Sequence, residues 1–281
     1  MEIKCTYCGR RNSTGATHCF ECGTKLSELA QEKILEPPAP KPPAPAALVS
    51  ESEWRARDAW KFLGMFLVFE VVMGLARGAI STLSPGFGHW SYTGYGHFFF
   101  SSVHYTINIL TMLYFARLNS KEGFLQTLGL SQPPSRHVWA GVVLTLAIRM
   151  AGNLMYSAGL SKSVTSSAGW GFRHTLGPEK TLFLLPSLMA PFCEELYMRG
   201  FLYRAFRGSY SIHISTLLIV AVVSLTHSNQ FYHSWVAAVD LSALTVLQCF
   251  LRERGNLRDC IASHLAYNLA WAVALMRYSG T

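Results

Sequence analysis

The sequence predicts an all-α polytopic membrane protein with about seven transmembrane helices. Half of the 281 residues are hydrophobic and only 14% are charged, whereas soluble domains average about 25% charged residues. From Trp54 onward the chain is a series of apolar runs, each near the length of about 20 residues that a bilayer requires. Arg residues flank these runs and Trp and Tyr lie near their ends, which argues against the alternative of a large soluble helical core.

The positions of the basic residues predict how these helices are oriented. The predicted spans are 61–80, 97–116, 138–158, 181–205, 212–232, 235–251 and 258–276. Lys and Arg gather in loops beside the spans, so we attribute the net charge of +8 to the membrane topology and expect lipid as the partner, with no nucleic acid. The positive-inside rule then places the N-terminus and the loops 117–137, 206–211 and 252–257 in the cytosol, and the loop 81–96 outside.

Four cysteines near the N-terminus have the spacing of a metal site: Cys5, Cys8, Cys19 and Cys22. Two Cys-x-x-Cys pairs supply four thiolates for one tetrahedral zinc ion. A glycine follows each pair, where the backbone turns back toward the sulfurs. Because so short a segment cannot build a core, the metal would supply its folding energy. The alternative is two disulfides, but nothing indicates export, so we favour structural zinc.

The sequence divides into three predicted parts. Residues 1–26 resemble the short zinc ribbons at the cytosolic ends of many bacterial membrane proteins, which implies a structural module with a protein partner that the sequence does not identify. Residues 27–53 form a Pro/Ala-rich linker whose centre is expected to be an extended polyproline helix. Residues 54–281 form the transmembrane domain. His18 lies beside Cys19 but is not required as a ligand.

Two adjacent carboxylates lie inside the fourth apolar span. Each costs a few kcal/mol in a bilayer, so a chain that keeps Glu194 and Glu195 has a use for them. Glu195 and Arg199 are four residues apart and share a helix face, so they can pair. Glu194 points about 100° away from Glu195, which allows one carboxylate to be neutralised while the other faces a cavity. Pro186 and Pro191 precede them and would kink the helix and free backbone carbonyls.

Further polar groups lie in later spans. His264 and Asn268 are again four residues apart, and His227 ends another apolar run. With Glu194 they provide a carboxylate base, two imidazoles and an amide donor, a set that suits water activation and oxyanion stabilisation. Each has a structural alternative: a lone intramembrane His is more often a packed core residue, and the Glu–Arg pair could simply lock two helices together.

The order of these motifs resembles a known family. Glu194-Glu195-x-x-x-Arg199, a His on the next span and His264-x-x-x-Asn268 on the last are similar to the type II CAAX prenyl endopeptidases and their bacterial relatives, the CPBP (ABI) intramembrane proteases. The resemblance covers about residues 180–276. The family's second motif is usually Phe-x-x-x-His, and here Val223 stands in the place of the Phe.

The resemblance implies an intramembrane endopeptidase that cleaves a membrane-associated peptide or protein. Glu194 would be the general base, helped by His227, and His264 and Asn268 would bind the oxyanion. Glu195 and Arg199 would hold the site together. Members of this family have been described both as metalloproteases and as glutamate enzymes; the chain has no His-Glu-x-x-His element, and we expect no catalytic metal. Zinc on two His and a Glu stays open.

Other functions remain as alternatives. A non-catalytic membrane scaffold or immunity-type protein could retain the protease fold, and it would need Glu194 for folding only. A transporter would show paired half-helices in an inverted repeat, which the sequence lacks. Among the remaining polar residues, Asp240 is an intramembrane acid without an obvious partner, and His104 and Asn108 are interpreted as span-end or packing residues.

Overall fold

A computed structural model describes residues 2–5, 7–13, 15–26, 54–91, 93–118, 124–161 and 179–278. The chain divides into two compact units, Met1–Ser50 and Glu51–Thr281. The predicted linker, residues 27–53, lies outside the described residues.

The first unit contains a short antiparallel hairpin. Strand β1 (Glu2–Lys4) pairs with β2 (Arg11–Ser13), with Ile3 opposite Asn12. Gly9 and Gly23, which follow the two Cys-x-x-Cys pairs, have φ angles of +77° and +73°, a region where a side chain is disfavoured. The amide of Gly9 donates to the carbonyl of Cys5 and that of Gly23 to the carbonyl of Cys19, each at 2.8 Å. The predicted turn after each pair is therefore present.

The second unit is helical throughout its described elements. In chain order these are α1 (Ala56–Leu83), α2 (Pro85–Ser91), α3 (Gly94–Leu118), α4 (Phe124–Leu128), α5 (Val138–Ser157), α6 (Glu179–Glu195), a π-helix (Leu196–Leu202), α7 (Tyr203–Arg207), α8 (Ile212–Thr226), α9 (Ser228–His233), α10 (Trp235–Arg254) and α11 (Leu257–Tyr278).

Four of these helices are long and apolar enough to cross a membrane: α1, α3, α5 and α10. Helix α8 is apolar but shorter. The outward side chains include Leu75, Val143 and Leu217, each at least 64% exposed, while Glu195, Arg199 and Asp259 are buried. This arrangement is the reverse of a soluble protein, in which charged groups are mostly exposed. The protein is therefore an integral membrane protein whose second unit is all-α, as the sequence predicts.

The fifth predicted span is not one continuous helix. Helix α8 ends at Thr226, His227 has φ −109° and ψ 24°, and the short helix α9 follows. The hydroxyl of Thr226 donates to the carbonyl of Val223, and Nδ1 of His227 lies 3.1 Å from the same oxygen. Such local side-chain bonds compete with helix continuation. The prediction of a single helix over 212–232 is thus wrong at its C-terminal end.

An aromatic core fixes the π-helix in place. Phe201 contacts Trp54 and Phe62, with ring centroids 5.0 and 5.6 Å apart, and Phe62 also contacts Tyr197. All four rings are buried. Helix α6, which leads into the π-helix, packs against α3 and α11, and α11 also packs against α5. The helix that carries the two glutamates therefore lies between α3 and α11.

Candidate active site

The prolines of α6 create a backbone acceptor that α11 uses. Pro191 has no N–H, so the carbonyl of Ser187, four residues earlier, lacks its usual helical partner. The side-chain Nδ2 of Asn268 donates to this carbonyl at 2.6 Å. The expectation that the prolines free carbonyls is therefore confirmed at Ser187. The bond fixes one of the two N–H groups of the Asn268 amide.

A π-helix begins directly after the two glutamates. It spans Leu196–Leu202 and contains Arg199; such π segments are rare and frequently occur at functional sites. The buried Arg252 stabilises the widened turn, because its Nε donates to the carbonyl of Arg199 at 3.1 Å and its Nη2 to that of Leu128 at 3.2 Å. Gly129 leaves room for this guanidinium, because a Cβ at that position would lie 2.9 Å from it. The φ of Gly129 is +79°, a region that a side chain disfavours. The sequence pattern did not indicate this π-helix.

Glu195 is the centre of a buried charged cluster. Its side chain is fully buried, and Oε1 accepts from Nη1 of Arg199 at 3.0 Å and lies 2.8 Å from Nδ1 of His264. The predicted i, i+4 pair is thus present and His264 joins it from α11. Arg199 also donates through Nη2 to the carbonyl of Thr245 at 3.5 Å. The Glu195 carboxylate is consequently compensated by a cation and oriented by two elements.

Glu194 has a different environment. It is half-buried, and its Oε1 accepts a long hydrogen bond of 3.3 Å from the hydroxyl of Tyr105 on α3. Within the described part of the chain, no cation pairs with this carboxylate. The two neighbouring glutamates are therefore distinct: one is sealed and neutralised, and the other remains accessible.

His227 lies at the C-terminal end of α8 and is half-buried. Its Nδ1 lies 3.1 Å from the Val223 carbonyl and 3.1 Å from the Thr226 hydroxyl, so Nε2 is the nitrogen left for other partners. The hydrogen bonds described for this ring stay within its own helix end. Convergence of His227 with Glu194 stays a prediction. Val223, in the position of the family's Phe, is buried in the hydrophobic core.

Two polar clusters in the spans were missed by the sequence reasoning. Asp240, expected to lack a partner, lies 3.5 Å from Nη1 of Arg149 and accepts from the hydroxyl of Tyr267. The signal was available, since Arg149 stands in the middle of an apolar run.

The second cluster joins α1 to α3. Nδ1 of His104 lies 2.8 Å from Oε1 of Glu70, and the side chain of Asn108 lies 3.2 Å from Nε2 of His104. His104 is therefore an ionisable partner as well as a packing residue. This pair also had a signal, because Glu70 is an acidic residue within the first apolar run.

The four N-terminal cysteines form a metal-ligand geometry. Their Sγ atoms all lie within 4.8 Å of one another, with Cys5–Cys22 at 3.7 Å and Cys8–Cys19 at 3.5 Å. A tetrahedral ion with metal–sulfur bonds of about 2.3 Å requires sulfurs about 3.8 Å apart. All four are free cysteines, so the disulfide alternative is not what the structure contains.

The surroundings of Cys19 and Cys22 favour the thiolate form that binds metals, whereas burial raises the pKa of Cys8. Burial opposes ionisation of Cys19, but hydrogen bonds from the backbone of Cys22 and Glu21 and from nearby side chains lower its pKa to about 6. Asn12 holds this part of the hairpin by donating to the carbonyl of Arg10 at 3.0 Å. His18 is exposed, lies beside the hydroxyl of Thr17 and stands outside the cysteine set.

Comparison with known proteins addresses the helical unit. Residues 177–270 match the family model for type II CAAX prenyl endopeptidase Rce1-like proteins. The family resemblance that the motifs predict is thereby confirmed for this Rce1-like segment, which is about a third of the chain. No curated protein and no solved structure matches. The six predicted site residues all lie within the Rce1-like segment: Glu194, Glu195, Arg199, His227, His264 and Asn268.

Proposed function

We propose that this protein is an intramembrane endopeptidase that hydrolyses a peptide bond of a membrane-associated substrate, with Glu194 as the general base. The contrast between the two glutamates is the observation that carries this proposal. Glu195 is fully buried, and its Oε1 is occupied by Arg199 and His264. Glu194 is half-buried, and among the described residues its side-chain hydrogen bond is to a neutral hydroxyl. An accessible carboxylate without a paired cation can take a proton from a water molecule.

In the proposed reaction, Glu194 removes a proton from water as the water oxygen attacks the carbonyl carbon of the scissile bond. The tetrahedral intermediate then collapses, the C–N bond breaks, and the proton held by Glu194 passes to the leaving amine. His227 assists through Nε2, because its Nδ1 is engaged with the end of α8. This assistance requires His227 to approach Glu194 directly or through one water.

His264 and Asn268 supply the oxyanion donors in this proposal. The contact of His264 Nδ1 with Glu195 orients the imidazole, and a proton on Nε2 then makes that nitrogen a donor to the developing negative charge. The Glu195 carboxylate stabilises the resulting imidazolium, as a buried carboxylate does in other hydrolases. Asn268 uses one N–H on Ser187 and keeps the other for the oxyanion. Glu195 and Arg199 therefore position the site.

We propose a glutamate-type reaction without a catalytic metal. Nδ1 of His264 already contacts Glu195, so this nitrogen is not free to bind a metal. Among the described residues, the cysteine cluster is the group of side chains with the geometry of a metal site. In that cluster we propose a structural zinc ion, since four thiolates at tetrahedral spacing suit zinc.

Residues 1–26 would form this zinc ribbon, 27–53 a linker and 54–281 the protease domain. The ribbon would lie in the cytosol and bind a protein partner.

The test is cleavage of membrane-anchored peptides by the detergent-purified protein. A peptide library is incubated with the parent protein and with Glu194→Gln, and new termini are identified by mass spectrometry. Glu179→Gln, at the start of the same helix, is the matched control. We expect cleavage by the parent and the control and none by Glu194→Gln. Absence of cleavage by a folded parent, with a cellular effect that survives Glu194→Gln, would instead favour the scaffold function.

A further inference from the structure

We infer that Tyr105 is a positioning residue for the proposed base, a role that rests on the proposed function. Its hydroxyl donates to Oε1 of Glu194 at 3.3 Å from a separate helix, α3. Among the described residues, Tyr105 is the residue whose side chain forms a hydrogen bond with the Glu194 carboxylate. The contact joins positions 89 residues apart in the chain, so no spacing rule within one helix would reveal it.

The residue next to Tyr105 on α3 forms a second polar pair. His104, whose ring centroid is 5.2 Å from that of Tyr105, lies 2.8 Å from the Glu70 carboxylate on α1. Phe66 contacts His104 from the same helix, with centroids 6.1 Å apart. Helix α3 itself packs closely against α6. These contacts anchor α3 to α1 beside Tyr105, and the packing of α3 on α6 brings the hydroxyl to Glu194.

The direction of the hydrogen bond suits a residue that orients a base. A phenol donates strongly to a carboxylate oxygen and, more weakly, to the carbonyl oxygen of a carboxylic acid. Tyr105 can thus hold Oε1 before and after Glu194 takes the proton, which leaves Oε2 to face water. Without this donor the carboxyl group rotates among its side-chain rotamers, and a base that is misplaced by about 1 Å loses much of its rate.

The experiment compares variants of the full-length protein in the peptide-cleavage assay. Tyr105→Phe removes only the donor, and we expect kcat to fall about 10- to 100-fold, the range of a hydrogen bond to a charged group. KM should change less than about twofold, because a residue that acts through the base alters the chemical step and not substrate binding. Tyr114→Phe is the control, since Tyr114 lies on the same helix and is 59% exposed.

A matched pair of unnatural residues separates positioning from packing. 4-Aminophenylalanine at position 105 keeps a donor and should restore kcat, whereas 4-methylphenylalanine has a similar size without a donor and should not. This pair also decides the matter if Tyr105→Phe does not fold.

The outcomes distinguish this inference from the proposed function. Equal kcat for the amino and methyl variants, with Glu194→Gln inactive, would overturn the role of Tyr105 and leave the protease mechanism in place. Full activity of Glu194→Gln would overturn the proposed mechanism and the role of Tyr105 with it.

Discussion

Removing Arg199 tests the buried cluster that sets the two glutamates apart. Arg199 and Glu195 have side chains only 3% and 0% exposed, and the guanidinium donates to the carboxylate at 3.0 Å. In Arg199→Ala the carboxylate stays buried and keeps His264 as its contact on Oε1. The variant thus measures the cost of removing the guanidinium from a buried carboxylate that keeps one polar contact.

The expected loss of unfolding free energy is about 3 kcal/mol. Removing one partner of a buried ion pair costs about 3–5 kcal/mol, and the remaining contact with His264 offsets part of this. Glu195→Gln in the same chain removes the orphaned charge, so the double variant should recover at least about 1 kcal/mol. Peptide cleavage should also fall in Arg199→Ala. Arg199 holds the Glu195 carboxylate in place, and without it Glu195 no longer orients the His264 ring.

Unfolding by SDS in mixed micelles, followed by circular dichroism, measures these differences. Arg57→Ala is the control: Arg57 is 73% exposed and lies 3.8 Å from Asp58, so the change should cost less than about 1 kcal/mol. Equal stability of Arg199→Ala and Arg57→Ala would refute the buried-charge reasoning. A double variant less stable than Arg199→Ala would refute the assignment of the cost to Glu195.

Two further predictions concern the ribbon and the topology. Elemental analysis of the full chain in reducing buffer should find one zinc per chain that is lost when Cys5 and Cys22 are replaced by Ser, and a stoichiometry near zero in the parent would exclude the zinc ribbon. Deletion of residues 1–50 should leave the membrane domain folded, which its circular dichroism would show. In intact cells, an impermeant thiol reagent should label a cysteine placed in 81–96 and miss one at Lys121; the reverse pattern would overturn the predicted cytosolic N-terminus.

The spans were predictable because the length and hydropathy of a helix in lipid are properties of the segment itself. The predicted spans 97–116 and 138–158 correspond to α3 and α5 within three residues at each end. The Glu195–Arg199 pair was predictable for the same reason, since an i, i+4 spacing fixes two side chains on one face.

The tertiary partners were not predictable in this way. Tyr105 and Glu194 meet only because α3 packs on α6, and hydropathy does not give the rotation of one helix against another. The break at His227 depends on side chains that bond one carbonyl. The π-helix depends on Arg252, which donates to the Arg199 carbonyl from another helix. The Tyr105–Glu194 contact and the π-helix are set by contacts between segments, about which the local pattern carries no information. The break at His227 is local, but it depends on side-chain hydrogen bonds that hydropathy does not register.

The rate of peptide cleavage by Glu194→Gln tests the central claim most directly. The substitution keeps the shape of the side chain and removes the base, and Glu195 with its partners is untouched. The account predicts that kcat falls by about 10²- to 10⁴-fold, while the folded fraction and membrane insertion stay at the parent level. A folded Glu194→Gln protein that cleaves the same peptide as fast as the parent would contradict the assignment of Glu194 as the base.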